Sequence, residues 1–333
     1  MEGTAVPKVA VIATGGTISC KVDSASGKTV ASLTGADLLG SLPSKRRYAD
    51  LELVEFARVQ STNMLPQQMF EIAQAANGLL ARADVVGCVV THGTSTMEES
   101  SYMMDLLLNS EKPVVFTGAM YSAQALDSDG PRNIEDAIRV AACPNARGKG
   151  ALVCMSGEVH AARDVGKMHK SAPHTFNSFD HGTVGRVDED RVIFYRQPLL
   201  RRTFQASRIE PNVDLIKVVS GSDDRFIRAS VASGAVGFVI EGMPGRGNVP
   251  ATMADGIRWA RERGTVVVLA GRAPEGRVLA KYGGGGGVMD LVEMGVITAG
   301  DLLPTKARIL LMVALGFTRD EGELRSVFEE VAP

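Results

Sequence analysis

Lys8–Ser19 reads KVAVIATGGTIS, an apolar run that stops at a threonine and two glycines and then presents a second threonine, Thr17. Val9 to Ala13 has the continuous, partly β-branched apolarity of a short buried strand closed by glycines. Gly15 and Gly16 let the backbone turn tightly and come close to a ligand, because a residue without Cβ takes positive φ at little steric cost. Thr17 then falls at a strand end, on a loop. In open α/β sheets ligands bind in the crevice beyond the carboxyl ends of the strands. By itself the stretch also fits an ordinary βα turn that contains a threonine.

Outward from this turn the chain alternates. Lys21 to Ser32 is polar and glycine-containing, which predicts a surface loop able to move over the strand end. Thr34 has the chemistry to cap a short helix. Leu51 to Val59 reads as a strand, followed by QSTNM and a helix opening near Pro66, with Met69, Ile72, Ala73 and Leu79 on one face. Val85 to Val90 is the next buried strand. It is broken by THGTSTMEESS and followed by a helix over Met97 to Leu108, with Glu98 and Glu99 in its favourable first turn. Pro113 to Thr117 reads as a strand, GAMYSAQALDSDGPRN as a long loop, Ile134 to Ala142 as a helix and Ala151 to Met155 as a strand.

Strands alternating with helices imply a largely parallel sheet with right-handed crossovers. The second Gly-Thr turn, Gly93-Thr94, follows a strand as the first does, so two strand ends can face each other across one crevice. No periodic internal repeat is found. The predicted organisation is an N-terminal α/β domain over residues 1–195, a basic linker over 196–212 and a smaller C-terminal α/β domain over 213–333. In the latter, Leu215 to Val219, Val236 to Ile240 and Thr265 to Leu269 read as strands, and Ala251 to Arg263 and Pro304 to Leu315 as helices. Thr318 with Glu321 reads as a capping box for a last helix. Gly283 to Gly287 reads as loop, since five glycines cost too much backbone entropy inside a helix or strand.

The 333 residues suffice for one large or two smaller domains. Hydrophobic residues at 45% and charged residues at 22% are those of an ordinary globular protein. Thirty-six Lys and Arg against 38 Asp and Glu leave a formal charge of −2, so there is no global electrostatic argument for nucleic acid or an anionic membrane. The four cysteines are widely spaced and read as buried thiols, and the five histidines show no HExxH or CxxC context, so neither a disulfide framework nor a metal site is expected. No apolar run reaches the ~20 residues of a membrane span. No leader pattern precedes the first strand, so the expected location is the cytoplasm.

Three polar groups stand out: Thr17, the Gly93-Thr94-Ser95 turn, and Lys167 in the loop after the Ala151 to Met155 strand. A threonine hydroxyl is a poor nucleophile until a base removes its proton, and a buried lysine of lowered pKa can be that base. Two threonines and one lysine suffice for acyl transfer. Each could equally be a turn or surface residue.

The chain resembles the bacterial L-asparaginase and glutaminase family along essentially its whole length. ATGGTI at 13–18 matches that family's first signature and THGTSTMEES at 91–100 resembles its second. KPVVFTGAM at 112–120, SDGPRN at 128–133, RDVGK at 163–167 and PTKAR at 304–308 match in the right order. The resemblance implies a two-domain fold, a larger N-terminal mostly parallel sheet flanked by helices plus a smaller C-terminal α/β domain. It implies Thr17 as the nucleophile of an acyl-enzyme that releases ammonia. It also implies Thr94 with Lys167 as second threonine and base, and Ser61 as a contact of the substrate's α-carboxylate. The backbone N–H of Thr94, after Gly93, would be a natural oxyanion donor, a contact worth on the order of 3 kcal/mol in the transition state. No metal or organic cofactor is implied. The partners implied are a small amide substrate and further copies of the chain, as a homotetramer built from dimers.

The chain departs from the family pattern in the substrate site. Ser95 stands where the family almost always has an Asp that pairs with the substrate's ammonium, and Thr62 takes the place of a Gln that helps to hold it. The acid contributed by a neighbouring subunit has Asp290 as its nearest counterpart, and the loop tyrosine is replaced by Lys28 as a possible lid residue. Three readings follow: an asparaginase in which Asp290, Glu98 or another acid substitutes; the same chemistry on an amide or lactam without a free α-ammonium; or a catalytically silent ligand-binding protein on the same fold. ATGGTIS does not supply the G-x-G-x-x-G of a Rossmann site, and Gly283–Gly287 is not followed by the Lys-Ser or Lys-Thr of a P-loop and reads instead as a flexible lid or subunit-contact loop.

Overall fold

The computed structural model describes residues 6–22, 27–42 and 48–332. It divides into two compact units, one ending at Thr203 and the other beginning at Phe204.

The first unit is built on β1 (Lys8–Gly15), in which Val9 to Ile12 are all essentially inaccessible to solvent. A run apolar on both faces is the pattern of a strand covered on both sides. The chain continues through β2 (Cys20–Val22), β3 (Thr29–Ala31), α1 (Gly35–Gly40), β4 (Asp50–Val59), α2 (Pro66–Leu80), β5 (Val85–Thr91), α3 (Met97–Leu107), β6 (Val114–Thr117) and α4 (Gly130–Ala142). It ends with β7 (Ala151–Met155), β8 (Glu158–Ala161), β9 (Gly166–Lys167), β10 (Phe176–Asn177), β11 (Gly185–Val187) and β12 (Val192–Phe194).

Eight of these strands form one sheet in the order β12-β11-β8-β7-β6-β5-β1-β4. From β7 through β6, β5 and β1 to β4 every pairing is parallel, and from β7 outward to β12 every pairing is antiparallel. Val9, Val11, Val89, Val115, Leu152 and Cys154 share a core with Ile134, Ala137 and Ile138 of α4. The alternate residues Ala10, Ile12, Cys88 and Val90 are buried as completely, and α2 and α3 pack together and against the same sheet. The parallel strands all end at one edge, which is where the loops carrying Thr17, Ser61 and Thr94 emerge.

The second unit is a four-stranded parallel sheet, β13 (Val213–Lys217), β14 (Gly237–Gly242), β15 (Val266–Gly271) and β16 (Ile297–Thr298), in that spatial order. Its helices are α5 (Arg225–Ala232), α6 (Ala251–Arg261), α7 (Val288–Glu293), α8 (Pro304–Ala314) and α9 (Glu321–Val331). Phe238, Ile240, Val267 and Leu269 form its core with Ile227, Met253 and Ile257. The molecule is therefore two α/β units, the larger carrying a mostly parallel sheet.

Thr34 caps α1 as its chemistry predicts: its Oγ1 accepts from the Asp37 N–H at 3.0 Å, while Asp37 accepts from the Thr34 N–H at 2.9 Å. Gly283–Gly287 lies outside helices and strands and leads into α7.

Four local expectations fail for identifiable reasons. The 21–32 stretch is not simply a loop, because β2 and β3 pair antiparallel, Cys20 with Ala31 and Lys21 with Val30; residues 23–26 lie outside the described residues. The helix expected from Ile134 starts at Gly130, since Pro131 in a first turn removes only an N–H that has no intrahelical partner anyway. Lys167 sits in a strand pair, Gly166–Lys167 with Phe176–Asn177, rather than a loop. The last helix is capped by Asp320, whose Oδ1 accepts from the Glu323 N–H at 2.9 Å. Thr318 instead accepts from the Asp320 N–H at 3.1 Å, in the turn just before that helix.

Candidate active site

The three loops at the carboxyl edge are set by backbone contacts. Gly15 pairs with Val59, and the Gly16 N–H donates to the Val59 carbonyl at 2.9 Å, which ties the end of β1 to that of β4. Gly16 has φ +87°, and a Cβ there would collide with the backbone of Gly93. A Cβ on Gly93 would meet the Ser61 Cβ at 2.7 Å and the Gly16 Cα at 3.1 Å. The two Gly-Thr turns therefore abut through glycines, and the Ser61 side chain packs against the second of them, Gly93. Thr17 opens a single 3-10 turn, Thr17–Ser19, and is half-buried.

Thr94 is 5% exposed, and its Oγ1 accepts a 2.7 Å hydrogen bond from Lys167 Nζ. Burial holds the Lys167 ammonium below the ordinary lysine value, and the charge of Glu98 acts in the opposite direction. Glu98 Oε2 also accepts from the Lys167 backbone N–H at 2.7 Å. The result is a lysine with weakened hold on its proton, aimed at a threonine hydroxyl.

Ser61 is 5% exposed; its Oγ accepts from the Ser95 N–H at 3.2 Å, and its carbonyl accepts from Thr96 Oγ1 at 2.9 Å. Behind the second turn, His92 Nδ1 lies 2.8 Å from the Gly93 carbonyl and Nε2 lies 3.0 Å from Ser100 Oγ. A carbonyl can only accept, so Nδ1 carries the proton and Nε2 accepts from the serine hydroxyl. Burial pushes the imidazole pKa down to about 4 and keeps it neutral. Below this, Asp129 accepts from the N–H groups of Met120 and Tyr121 at 3.0 Å, and Asn133 Nδ2 donates to the Gly118 carbonyl at 3.0 Å. SDGPRN thus braces the loop leaving β6.

The structure brings together Thr94 with Lys167, and Ser61 with Gly93 and Ser95, and it places the Thr17 turn against the Thr94 turn. The side chains of Thr62 and Ser95 are exposed, as is Lys28 next to β3. Asp290 is engaged within its own loop, accepting from the Gly285 N–H at 2.7 Å and the Gly287 N–H at 3.2 Å. Sequence reading missed the roles of His92 and of Glu98 toward Lys167. The first had a local signal, a buried histidine directly before the turn. The second had none, because its partner lies 69 residues away.

Among the described residues no group of three or more His, Cys, Asp or Glu side chains could hold a metal ion, and no helix is long and apolar enough to cross a membrane. All four cysteines are free thiols, three of them buried and Cys143 half-buried.

Residues 8–200 match the asparaginase N-terminal domain and residues 212–328 the glutaminase/asparaginase C-terminal domain. The L-asparaginase of Bacillus licheniformis is 35% identical over 92% of this chain and 95% of its own. The glutaminase-asparaginase of Pseudomonas aeruginosa is 31% identical over 97% of this chain and 90% of its own. The crystal structure of a probable cytoplasmic L-asparaginase from Campylobacter jejuni, 29% identical, superposes with a TM-score of 0.87 over 97% of this chain and 99% of that one. Fold and relatives define a hydrolase of linear amide C–N bonds. The chain belongs to the asparaginase and glutaminase family.

Proposed function

We propose that the protein hydrolyses the side-chain amide of L-asparagine to L-aspartate and ammonia through a threonine acyl-enzyme. Thr17 Oγ attacks the carboxamide carbon and its proton passes to the amide nitrogen, the tetrahedral intermediate expels ammonia to leave the Thr17 ester, and water then cleaves that ester, one proton of the water restoring the Thr17 hydroxyl. Lys167 takes the proton of Thr94 or, through it, of the attacking water, and the Thr94 N–H faces the developing oxyanion. Ser61 with the backbone around Gly93 receives the α-carboxylate, and Lys28 and Thr62 lie at the rim. The observation that carries this reading is the 2.7 Å contact between a desolvated lysine and a buried threonine, on a turn abutting that of Thr17. A silent binding protein has no use for such a pair.

A second substrate reading has its own support. Ser95 is neutral and exposed, Asp290 bonds its own loop, and Glu98 bonds the Lys167 backbone. Asp290 and Glu98, the candidate acids for an α-ammonium, are thus otherwise engaged, and burying an ammonium without a counter-charge costs several kcal/mol. An amide without a free α-ammonium fits the same chemistry.

The deciding experiment measures ammonia release from L-asparagine, L-glutamine and succinamate as kcat/KM, with Thr17→Ala as blank. A clear preference for L-asparagine establishes the first reading. Succinamate matching or exceeding it establishes the second, and release equal to the blank on all three overturns both. Installing the family's acid as Ser95→Asp is expected to raise the asparagine to succinamate ratio. By the resemblance to the family, and with a probable cytoplasmic L-asparaginase among the similar solved structures, we further assign the protein to the cytoplasm and to a homo-oligomer, a dimer of dimers. Light scattering on the purified protein tests the latter.

A further inference from the structure

We infer that Glu98 is the positioning residue of the reaction, holding Lys167 against Thr94 through a hydrogen bond to the lysine's own backbone and fixing the charge opposite it. The inference rests on the reading of Lys167 as the base.

Two observations support the positioning. Lys167 lies in β9, a two-residue strand paired only with the two residues of β10, so its backbone is poorly fixed by the sheet alone. The 2.7 Å bond from its N–H to Glu98 Oε2 adds an anchor from the first turn of α3, the helix that begins directly after the Thr94 turn. Base and acceptor hydroxyl are thereby referred to the same rigid element, and an error of about 1 Å in such a pair costs on the order of 10²-fold in rate.

The second part concerns charge. Around Lys167 the elements carry Glu98 and Glu99 on α3, Arg163 and Asp164 before β9, and His169, Lys170 and His174 between β9 and β10; β10 and the Thr94-Ser95 turn carry no charged side chain. Arg163 and Asp164 pair with each other at 3.0 Å, and His169 Nδ1 accepts from the N–H groups of Ser171 and Ala172. The charge that acts on the Lys167 ammonium is that of Glu98, and it favours the protonated form against desolvation. With Ser95 neutral, Glu98 takes over a counter-charge role without pointing at the substrate.

Glu98→Gln separates the two functions, because the amide oxygen still accepts the backbone N–H while the charge is gone. The expected result is kcat at its optimum within about threefold of the parent, an unchanged KM, and an acid limb of the kcat–pH profile displaced to lower pH. The sign follows from the chemistry: without the carboxylate, Lys167 loses its proton more readily and is available as base in more acidic solution. Glu98→Ala removes both functions, and its kcat is expected to fall tenfold to a hundredfold with KM unchanged. An unmoved acid limb in Glu98→Gln overturns the charge assignment. A Glu98→Ala enzyme of parental kcat overturns the positioning assignment. If circular dichroism shows that Glu98→Ala does not fold, the Glu98→Gln profile alone decides. Lys167→Met, measured alongside, separates the levels. If it stays active, the lysine is not the base and the underlying reading fails. If it is inactive while both Glu98 variants match the parent, only the present inference fails.

Discussion

The two Gly-Thr turns have nearly the same sequence and are held in opposite ways. The first is fixed by backbone: Gly16 donates to Val59, its carbonyl accepts from Ser19 Oγ at 2.8 Å, and both glycines have positive φ. The second is fixed by side chains: His92 from behind, Ser61 from the side, and Lys167 on the threonine itself. A nucleophile has to be presented to substrate, and a turn made of glycine leaves room for that. A proton carrier has to be aimed and desolvated, which takes side chains packed around it. On the proposed mechanism, the difference teaches that one motif can serve two chemical roles according to what surrounds it.

The comparison is broken most directly at its reactive atoms. Thr17→Ala is expected to lower kcat by about 10⁴-fold or more with the thermal transition preserved, since only a hydroxyl and a methyl are removed from a half-buried position. An active variant would take the nucleophile role away from the first turn. Lys167→Met is expected to cost 10²- to 10⁴-fold in kcat, the usual range for a general base, and to remove the acid limb of the pH profile. Loss of activity in KM alone would make the second turn a binding element instead.

Gly16→Ala tests the backbone half. At φ +87° with Gly93 in the way, the new methyl forces the two turns apart, for an expected loss of about 2 kcal/mol or more in stability and roughly 10²-fold in turnover. Urea unfolding and steady-state kinetics measure the two. A variant as stable and fast as the parent would show that the turns do not depend on that contact.

The effect with no expected cost to turnover at neutral pH is a pH dependence confined to the side-chain half. The His92 imidazole falls from the ordinary 6.5 to about 4 on folding, so between these values the unfolded chain binds a proton that the folded one does not. Its contribution to stability is complete above pH 6.5 and is lost as pH falls toward 4, by roughly 3 kcal/mol. His92→Gln is expected to flatten that part of the urea-midpoint profile. An unaltered slope would show that another group carries it.

What was legible in the sequence follows the same division. Val9–Ala13, Val85–Val90 and Ala151–Met155 announce themselves because a strand covered on both faces is a continuous apolar run, a local signal. The glycines, Thr17, Thr94 and Lys167 could be picked out by chemistry, and the ordered motifs set the fold. The seat of Lys167 could not be picked out, because it is made by β10 and by Glu98 in α3, a pairing that no local spacing encodes. The start of α4 was hidden by Gly130 and Pro131, residues that read as turn until their place in a first turn is seen. Thr318 failed as a cap because Asp320, two residues on, competes for the same role and wins it.

The contact of Gly16 with Gly93 has a consequence for how such a site diversifies. The spacing between the Thr17 and Thr94 turns is set where there are no side chains, so the Ser95 side chain does not hold the two turns together. Ser95 meets this frame through its backbone N–H, which donates to Ser61 Oγ, while Lys167 lies 2.7 Å from Thr94. On the proposed reading, a change of the Ser95 side chain is therefore expected to alter substrate preference without displacing the Lys167–Thr94 pair.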